Sequence, residues 1–161
     1  MFQTHLLSEA LGQKLKAAGK VLTTAESCTG GGVSAAITEI AGSSEWFDRA
    51  FVTYSNSAKM EMLGVNVDTL ESHGAVSEPV VKEMVLGALA NSQANIAVSI
   101  SGIAGPGGGS EEKPVGTVCF GWADSNGWLK VATYHLSGDR SQVRQQAVET
   151  ALKVLCEKLD A

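Results

Sequence analysis

The segment TAESCTGGG (24–32) carries the side chains of this sequence that are best suited to nucleophilic chemistry. It holds Ser27 and Cys28 directly before a threonine and three glycines. We expect a turn here, between a short strand at 21–25 and a helix at 33–40. Because a helix N-terminus exposes unpaired N–H groups and a partial positive charge, it stabilises a nucleophile or a bound anion. The pattern predicts a functional turn; the alternative is an ordinary helix start whose small residues allow close packing.

The sequence alone does not decide between Ser27 and Cys28 as the nucleophile. A cysteine is intrinsically the better nucleophile, but it usually needs a nearby histidine to lower its pKa. Neither His73 nor His135 stands in a context that would place it beside the turn. A lone cysteine next to glycines is also a common small buried residue, so both side chains stay open at this point.

A second segment, FVTYSNSAK (51–59), pairs a phenol with an amine. We expect Tyr54 to end a strand at 49–54 and Lys59 to lie one turn into the next helix, so that both can face one edge of a sheet. A desolvated lysine can act as a base, and a serine–lysine pair can then carry out acyl transfer without histidine. Taken by itself, the segment favours the alternative, a solvated lysine and a tyrosine packed at a strand end.

The third segment is a glycine-rich loop, SGIAGPGGGSEEKPVGTV (101–118). It has five glycines from Gly102 through Gly105 to Gly109, and two prolines. The phosphate-binding pattern GxxxxGK[ST] is missing, and the glycines do not open a helix as they do in a dinucleotide-binding fingerprint. Long loops in compact domains are usually functional or mobile. We predict that this loop closes over a ligand. The alternative is a flexible surface hairpin.

A fourth segment, SGDR (137–140), begins the last predicted helix. Arg140 and Arg144 are four residues apart, so they share a face of that helix. Two arginines in a first turn oppose the helix dipole, and a bound phosphate would offset that cost. The alternative is that Asp139 caps the helix and compensates for the arginines without a ligand.

The hydrophobic periodicity indicates which elements must position these segments. Helices and strands alternate early in the chain, and a hairpin follows late. We therefore predict one α/β domain over residues 1–161, a three-layer α/β/α arrangement with a mixed β-sheet whose strand order the sequence does not give. The remaining predicted elements are helices at 3–18, from 56 through 62, from 77 onward and at 140–159, and strands at 95–101, 115–123 and 128–135.

Composition and charge exclude several classes of protein. The chain of 161 residues is 44% hydrophobic and 18% charged, which excludes intrinsic disorder. A net charge of −5 argues against non-specific nucleic-acid binding. No apolar run is long enough to span a bilayer, and the first twenty residues do not resemble a signal peptide. Three scattered cysteines and three scattered histidines give no disulfide framework and no metal site, so we expect a cytoplasmic protein without a metal.

Together the segments TAESCTGG, FVTYSNSAK, GAVSEPV (74–80), SGIAGPGGGSEEKPVGTV and SGDR resemble the CinA C-terminal domain family. Each motif is weak alone, but their combination in this order is specific and covers nearly the whole chain. Stand-alone members of that family are nicotinamide-nucleotide amidases. The resemblance implies hydrolysis of the carboxamide of nicotinamide mononucleotide (NMN) to nicotinic acid mononucleotide and ammonia, in the recycling of pyridine nucleotides. It implies no metal and no organic cofactor.

The resemblance also implies roles for individual residues. By position, Ser27 is the nucleophile, Lys59 the general base and Tyr54 its assistant. The predicted substrate-binding residues are those of the glycine turn, the glycine-rich loop and the last helix: Thr29, Gly30, Gly31, Gly102, Gly105, Arg140 and Arg144. Backbone N–H groups from 28 to 31 are expected to stabilise the oxyanion, and Arg140 is the first candidate for the phosphate.

Two other functions stay in view at this stage. The runner-up is a non-catalytic nucleotide-binding or regulatory module, in which Ser27 and Lys59 would be structural. A DNA-binding factor is a third reading, and the net charge of −5 counts against it. We expect the NMN-type nucleotide as the partner, no nucleic acid and no membrane, and a homodimer is plausible for a domain of this size.

Overall fold

The computed structural model describes residues 3–161, which form six helices and five strands. A short 3₁₀ turn at Ser43–Glu45 precedes the second strand. In chain order the elements are α1 (Thr4–Ala18), β1 (Leu22–Glu26), α2 (Gly32–Thr38), β2 (Phe47–Val52), α3 (Asn56–Leu63), α4 (Val67–His73), α5 (Glu78–Ala90), β3 (Ile96–Gly102), β4 (Thr117–Asp124), β5 (Leu129–His135) and α6 (Arg140–Asp160).

The five strands form one mixed sheet in the order β2-β1-β3-β4-β5. β1 is parallel to both of its neighbours, and β4 is antiparallel to β3 and β5. The chain leaves β1 to one side to form β2 and later returns on the other side to form β3. Crevices at such switch points, outside the carboxyl ends of the strands, are where α/β sheets bind ligands. Three of the four predicted functional segments follow the carboxyl ends of β1, β2 and β3.

Helices cover both faces of the sheet, which confirms the predicted α/β/α layers. One face packs against α1, α2 and α6, with Phe120 and Trp122 stacked at 5.3 Å between ring centroids. The indole N–H of Trp122 donates to the carbonyl of Ala151 at 3.3 Å, which ties α6 to the sheet.

The other face packs against α3, α4 and α5 and is built from smaller side chains. Here the helices approach one another closely. A β-carbon at Gly87 of α5 would overlap the carbonyl oxygen of Leu63 at the end of α3, so only glycine fits this crossing. Leu63 lies one helical turn beyond Lys59, and the crossing therefore fixes how far α3 stands from α5 and the sheet.

The structure differs from the sequence prediction mainly at α4, which the sequence did not reveal. The helix has seven residues and no side-chain cap of its own at Asn66. Glu83 of α5 supplies the cap instead, accepting from the backbone N–H of Asn66 at 2.8 Å and from the Thr69 hydroxyl at 2.6 Å. A short helix that depends on a distant carboxylate leaves little local signal. Strand boundaries also shift, since β2 begins at Phe47 and ends two residues before Tyr54.

Of the helices in residues 3–161, none combines the length and the apolar character needed to cross a lipid bilayer.

Candidate active site

Ser27 lies directly after β1, in the turn that leads into α2. Its backbone N–H donates to the carbonyl of Ile100 in β3 at 3.0 Å, which holds the residue at the switch point. Gly30 and Gly31 have φ angles of +57° and +99°, a backbone conformation that favours glycine. The sequence TGGG thus lets the chain turn sharply from the strand into the helix, and the predicted strand–turn–helix geometry is confirmed.

Lys59 reaches Ser27 from the first turns of α3. The helix begins at a cap in which the Ser55 hydroxyl accepts from the N–H of Ala58 at 3.0 Å. The lysine is only 1% exposed, although it is the residue type least often buried. Its Nζ contacts the Ser27 Oγ at 3.1 Å and the backbone carbonyls of Thr53 and Tyr54 at 3.0 and 3.3 Å.

Burial of Lys59 disfavours its charged form and lowers its pKa below the ordinary value of 10.5. None of the ion pairs formed within residues 3–161 includes Lys59, so no carboxylate in the described part of the chain offsets this effect. The amine is thus set up to lose its proton more readily than a solvated lysine.

The neighbouring thiol behaves differently. Cys28 is 7% exposed, and burial raises its pKa to about 11. No histidine lies among its hydrogen-bond partners in the described residues. The thiol therefore stays protonated at neutral pH and is a weak nucleophile, which the sequence could not show.

Glu26 occupies the N-terminus of α2, on the sheet face opposite to Lys59. Its carboxylate is 0% exposed and accepts from the backbone N–H groups of Val33 and Ser34 at 2.9 and 3.0 Å. The hydroxyls of Thr29 and Thr24 donate to it at 2.7 and 3.2 Å. From the sequence, the partial positive charge at the N-terminus of α2 was expected to stabilise a nucleophile or a bound anion. In the structure, the Glu26 carboxylate occupies that position instead.

A cavity of about 280 Å³ opens beside Ser27 and Lys59. Its walls come from the turn after β1, the start of α3, the segment before α5, the end of β3 with its glycine-rich loop, and the start of α6. The lining residues include Ser27, Cys28, Tyr54, Asn56, Lys59, Ala75, Val76, Ser101, Gly102, Ile103, Gly105 and Arg140.

Arg140 and Tyr54 meet at the edge of this cavity. The Arg140 guanidinium donates to the carbonyl of Gly105 at 2.8 Å and to the Tyr54 hydroxyl at 3.5 Å. Tyr54 is 64% exposed, and its carbonyl rather than its hydroxyl contacts Lys59. Asp139 caps α6 through a capping box with Gln142, so the capping alternative of the sequence analysis is present together with the exposed arginine.

The structure therefore brings together six of the predicted site residues around one cavity: Ser27, Tyr54, Lys59, Gly102, Gly105 and Arg140. Four others do not line it, namely Thr29, Gly30, Gly31 and Arg144. Arg144 donates to the carbonyls of Cys28 and Thr29 at 3.0 and 3.2 Å and so braces the turn from behind. The N–H of Gly30 donates to the carbonyl of Ser27 at 3.0 Å and is not free for an oxyanion.

Ser101 and Val76 also line the cavity and were not among the predicted site residues. The available signal was positional: Ser101 is next to last in β3, at the sheet edge where Ser27 lies, and Val76 precedes the cap of α5. Within residues 3–161, no three histidine, cysteine or carboxylate side chains come together as a metal site would require.

Comparison with known proteins adds an independent finding. The model of the CinA C-terminal domain matches residues 4–159. The chain is 62% identical over 149 residues to "Nicotinamide-nucleotide amidohydrolase PncC" of Escherichia coli (strain K12), covering 92% of this chain and 90% of that protein. It is 60% identical over 153 residues to the protein of the same name from Enterobacter agglomerans, covering 92% and 93% of the two chains.

The fold also matches solved structures closely. The competence/damage inducible protein CihA from Agrobacterium tumefaciens superimposes with a TM-score of 0.95 and 44% identity, covering 100% of this chain and 99% of that one.

Proposed function

This chain belongs to the CinA C-terminal domain family, and from that premise we propose that it is a nicotinamide-nucleotide amidohydrolase. The proposed reaction hydrolyses the carboxamide of NMN to nicotinic acid mononucleotide and ammonia. Relatives that carry this name are 60% and 62% identical over nine-tenths of the chain, which supports the activity. The observation that carries the mechanism is the 3.1 Å contact between the Lys59 Nζ and the Ser27 Oγ in a buried setting.

The three contacts of Lys59 fit a neutral amine that acts as a general base. A neutral amine has two N–H bonds and one lone pair. The carbonyls of Thr53 and Tyr54 can each accept a hydrogen bond from one N–H of the neutral amine. The lone pair is then free to accept a hydrogen bond from the Ser27 hydroxyl. Lys59 takes the hydroxyl proton as the Ser27 Oγ attacks the carboxamide carbon. The same two carbonyls then stabilise the ammonium that forms.

Lys59 then donates the proton that it took from Ser27 to the departing nitrogen of the carboxamide. The C–N bond breaks, ammonia leaves and Ser27 carries the nicotinoyl group as an ester. Lys59, again neutral, takes a proton from a water molecule that attacks the ester carbon. Lys59 gives that proton to the departing Ser27 Oγ, the acid product leaves and the serine hydroxyl is restored, so that one water is consumed for each ammonia released.

The residues that line the cavity have side chains suited to the pyridine ring and the phosphate of the proposed substrate. Val76 and Ile103 give apolar surface for a pyridine ring, and the glycine-rich backbone at Gly102 and Gly105 also lines the cavity. Arg140 donates one N–H to Gly105 and has further N–H groups available for a phosphate at the edge of the cavity. Tyr54 assists through its carbonyl, which holds Lys59, while its hydroxyl stays with Arg140.

In the cell we place this activity in cytoplasmic recycling of pyridine nucleotides. The proposed chemistry needs only the side chains described here, a nucleotide substrate and water.

Ammonia release from NMN by the purified protein tests the proposal, with Ser27→Ala and Cys28→Ala measured beside the wild type. We expect ammonia from the wild type and from Cys28→Ala, and none above background from Ser27→Ala. An inactive Cys28→Ala with an active Ser27→Ala would overturn the serine mechanism. Binding of NMN by a wild-type protein that releases no ammonia would favour the non-catalytic nucleotide-binding module.

A further inference from the structure

Thr53 carries a buried hydroxyl without a hydrogen-bond partner, beside the lysine of the serine–lysine pair. The residue is 0% exposed, and within residues 3–161 its Oγ1 forms no hydrogen bond. Buried hydroxyl groups are normally paired, because an unpaired one loses its interaction with water without compensation. Thr53 does not line the cavity beside Ser27, so a substrate bound there would not reach this oxygen. Its partner is therefore to be sought among the protein's own groups.

The strand pattern places the Thr53 side chain on the same face of the sheet as Lys59. Phe51 packs against the cluster formed with α3, α4 and α5, whereas Val52 lies on the other face, toward the glycine turn. The N–H of Thr53 continues the pairing of β2 with β1 by donating to the Glu26 carbonyl at 2.8 Å. Because side chains alternate along an extended strand, the Thr53 side chain points to the side of Phe51.

Lys59 brings a group that changes its charge close to this hydroxyl. Its Nζ contacts the Thr53 carbonyl at 3.0 Å, and that carbonyl and the hydroxyl branch from the same α-carbon. In the resting pair the amine is fully engaged, because two carbonyls accept from its N–H groups and the Ser27 hydroxyl donates to its lone pair. When Lys59 takes the Ser27 proton, it gains a third N–H and a full charge in a buried site. A further acceptor then stabilises it.

We propose that Thr53 is a positioning residue for Lys59, and that its hydroxyl accepts a hydrogen bond from the ammonium that forms when Lys59 takes the Ser27 proton. The inference rests on the amidohydrolase function proposed above. Thr53 itself gains and loses no proton, since the proton passes from the Ser27 Oγ to the Lys59 Nζ and on to the departing nitrogen. Because the resting pair lacks this hydrogen bond, it stabilises the transition state more than the ground state.

The test measures ammonia release from NMN as a function of pH for Thr53→Val and Thr53→Ser. Valine has the shape of threonine without the hydroxyl, and serine keeps the hydroxyl. We expect Thr53→Val to lower the plateau kcat by about 3–10-fold and to move the acid limb about one pH unit lower, because the ammonium is less stable. Thr53→Ser should keep both close to the wild type. KM should change by less than about twofold in either variant, since Thr53 does not line the cavity.

The other titratable groups around the pair are common to the wild type and both variants. Cys28, whose pKa burial raises to about 11, and Arg140 both line the cavity and keep their charge states between about pH 6 and 9. Tyr54 has its hydroxyl at the cavity edge with Arg140, and Glu26 lies on the opposite face of the sheet with four hydrogen bonds. A displacement of the acid limb between variants therefore reports on Lys59.

Thr23→Val is the matched control. Thr23 is also 0% exposed, but its hydroxyl donates to the Arg49 carbonyl at 2.7 Å. We expect Thr23→Val to lower Tm by about 2–4 °C and to keep the wild-type acid limb. Thr53→Val should not lower Tm, because no hydrogen bond of the resting protein is lost.

An acid limb of Thr53→Val at the wild-type position would overturn the inference and leave the proposed function intact. So would a displaced limb that Thr53→Ser shares, or a fall in Tm of Thr53→Val as large as that of Thr23→Val, because the side chain would then be structural. A wild-type protein that releases no ammonia from NMN would overturn the proposed function, and this inference with it.

Discussion

Glu26 and Lys59 are two buried ionisable side chains on either side of the Ser27 turn, and the protein treats their charges in opposite ways. The Glu26 carboxylate accepts four hydrogen bonds from the start of α2 and two threonines. Lys59 has one hydroxyl and two carbonyls around its amine, and burial lowers its pKa. One charge is satisfied and the other is destabilised.

This difference assigns separate tasks to the two faces of the sheet. On the Glu26 face, Arg144 and Thr29 also direct their polar groups into the turn, and none of the three lines the cavity. On the Lys59 face, the lysine, Ser27 and Ser101 all line the cavity. The polar groups on the Glu26 face hold the turn in shape, while those on the Lys59 face border the cavity.

Removal of the lysine amine gives the largest expected effect. Lys59→Met should lower kcat for ammonia release by about 10²–10⁴-fold, because the proposed general base is lost. Its free energy of unfolding should not fall, since a buried amine whose charged form is disfavoured is replaced by an apolar chain of similar length. Lys82→Met on the exposed side of α5 is the control and should keep wild-type activity. Loss of activity accompanied by unfolding of Lys59→Met would break the contrast between the two faces.

The pH dependence sharpens the same prediction. Because the pKa of Lys59 is lowered in the folded protein, activity should rise with pH through a pKa below 10.5 as the amine becomes neutral. The unfolded chain binds a proton at Lys59 up to the ordinary pKa, so the folded protein is disfavoured below the lowered pKa and gains stability as pH rises toward 10.5. Lys59→Met should lack that part of the stability gain, as measured by urea unfolding at several pH values.

Removal of the Glu26 charge should mainly lower the free energy of unfolding. Glu26→Gln keeps the shape of the side chain but puts an NH₂ group against N–H donors of the helix start, at a cost of about 2–4 kcal/mol in the free energy of unfolding. Urea unfolding would measure the loss, and Glu71→Gln on the exposed side of α4 should change it by less than about 0.5 kcal/mol. A Glu26→Gln protein of wild-type stability would show that the carboxylate charge contributes nothing to the turn.

The smallest expected effects come from replacing the two arginines of α6, which should change different quantities: KM for Arg140 and Tm for Arg144. Arg140→Gln is expected to raise KM for NMN by about 10-fold or more, since its guanidinium lies at the cavity and suits a phosphate. Arg144→Gln should lower Tm, because it removes the donors to the Cys28 and Thr29 carbonyls, and should raise KM less. Equal KM values for the two variants would contradict the assignment of Arg140 to the phosphate.

Much of the site was predictable from short segments. The TGGG run set the turn at Ser27, and Ser55 capped a helix that carries Lys59 on its first turns, both through local rules. The layers of the fold followed from hydrophobic periodicity. These features depend on residues a few positions apart, and the sequence displays such spacing directly.

The remainder depends on contacts between distant parts of the chain. The sequence gives no sign that Glu26 would fill the start of α2, or that Arg144 would bind backbone carbonyls more than one hundred residues away. The burial that lowers the pKa of Lys59 arises only when α3 docks on the sheet. Burial of Cys28 likewise separates two adjacent nucleophiles that look equivalent in the sequence.

The crossing of α5 and α3 at Gly87 has a consequence for how this enzyme can vary. Gly87 does not line the cavity, yet the space it leaves sets the distance of Lys59 from the sheet through the Leu63 carbonyl one turn further along α3. Any side chain there would push the helix outward and draw the amine away from the serine. The distance between Lys59 and Ser27 thus depends on an absent side chain in another helix, so a substitution at Gly87 would disturb the proposed proton transfer through packing alone.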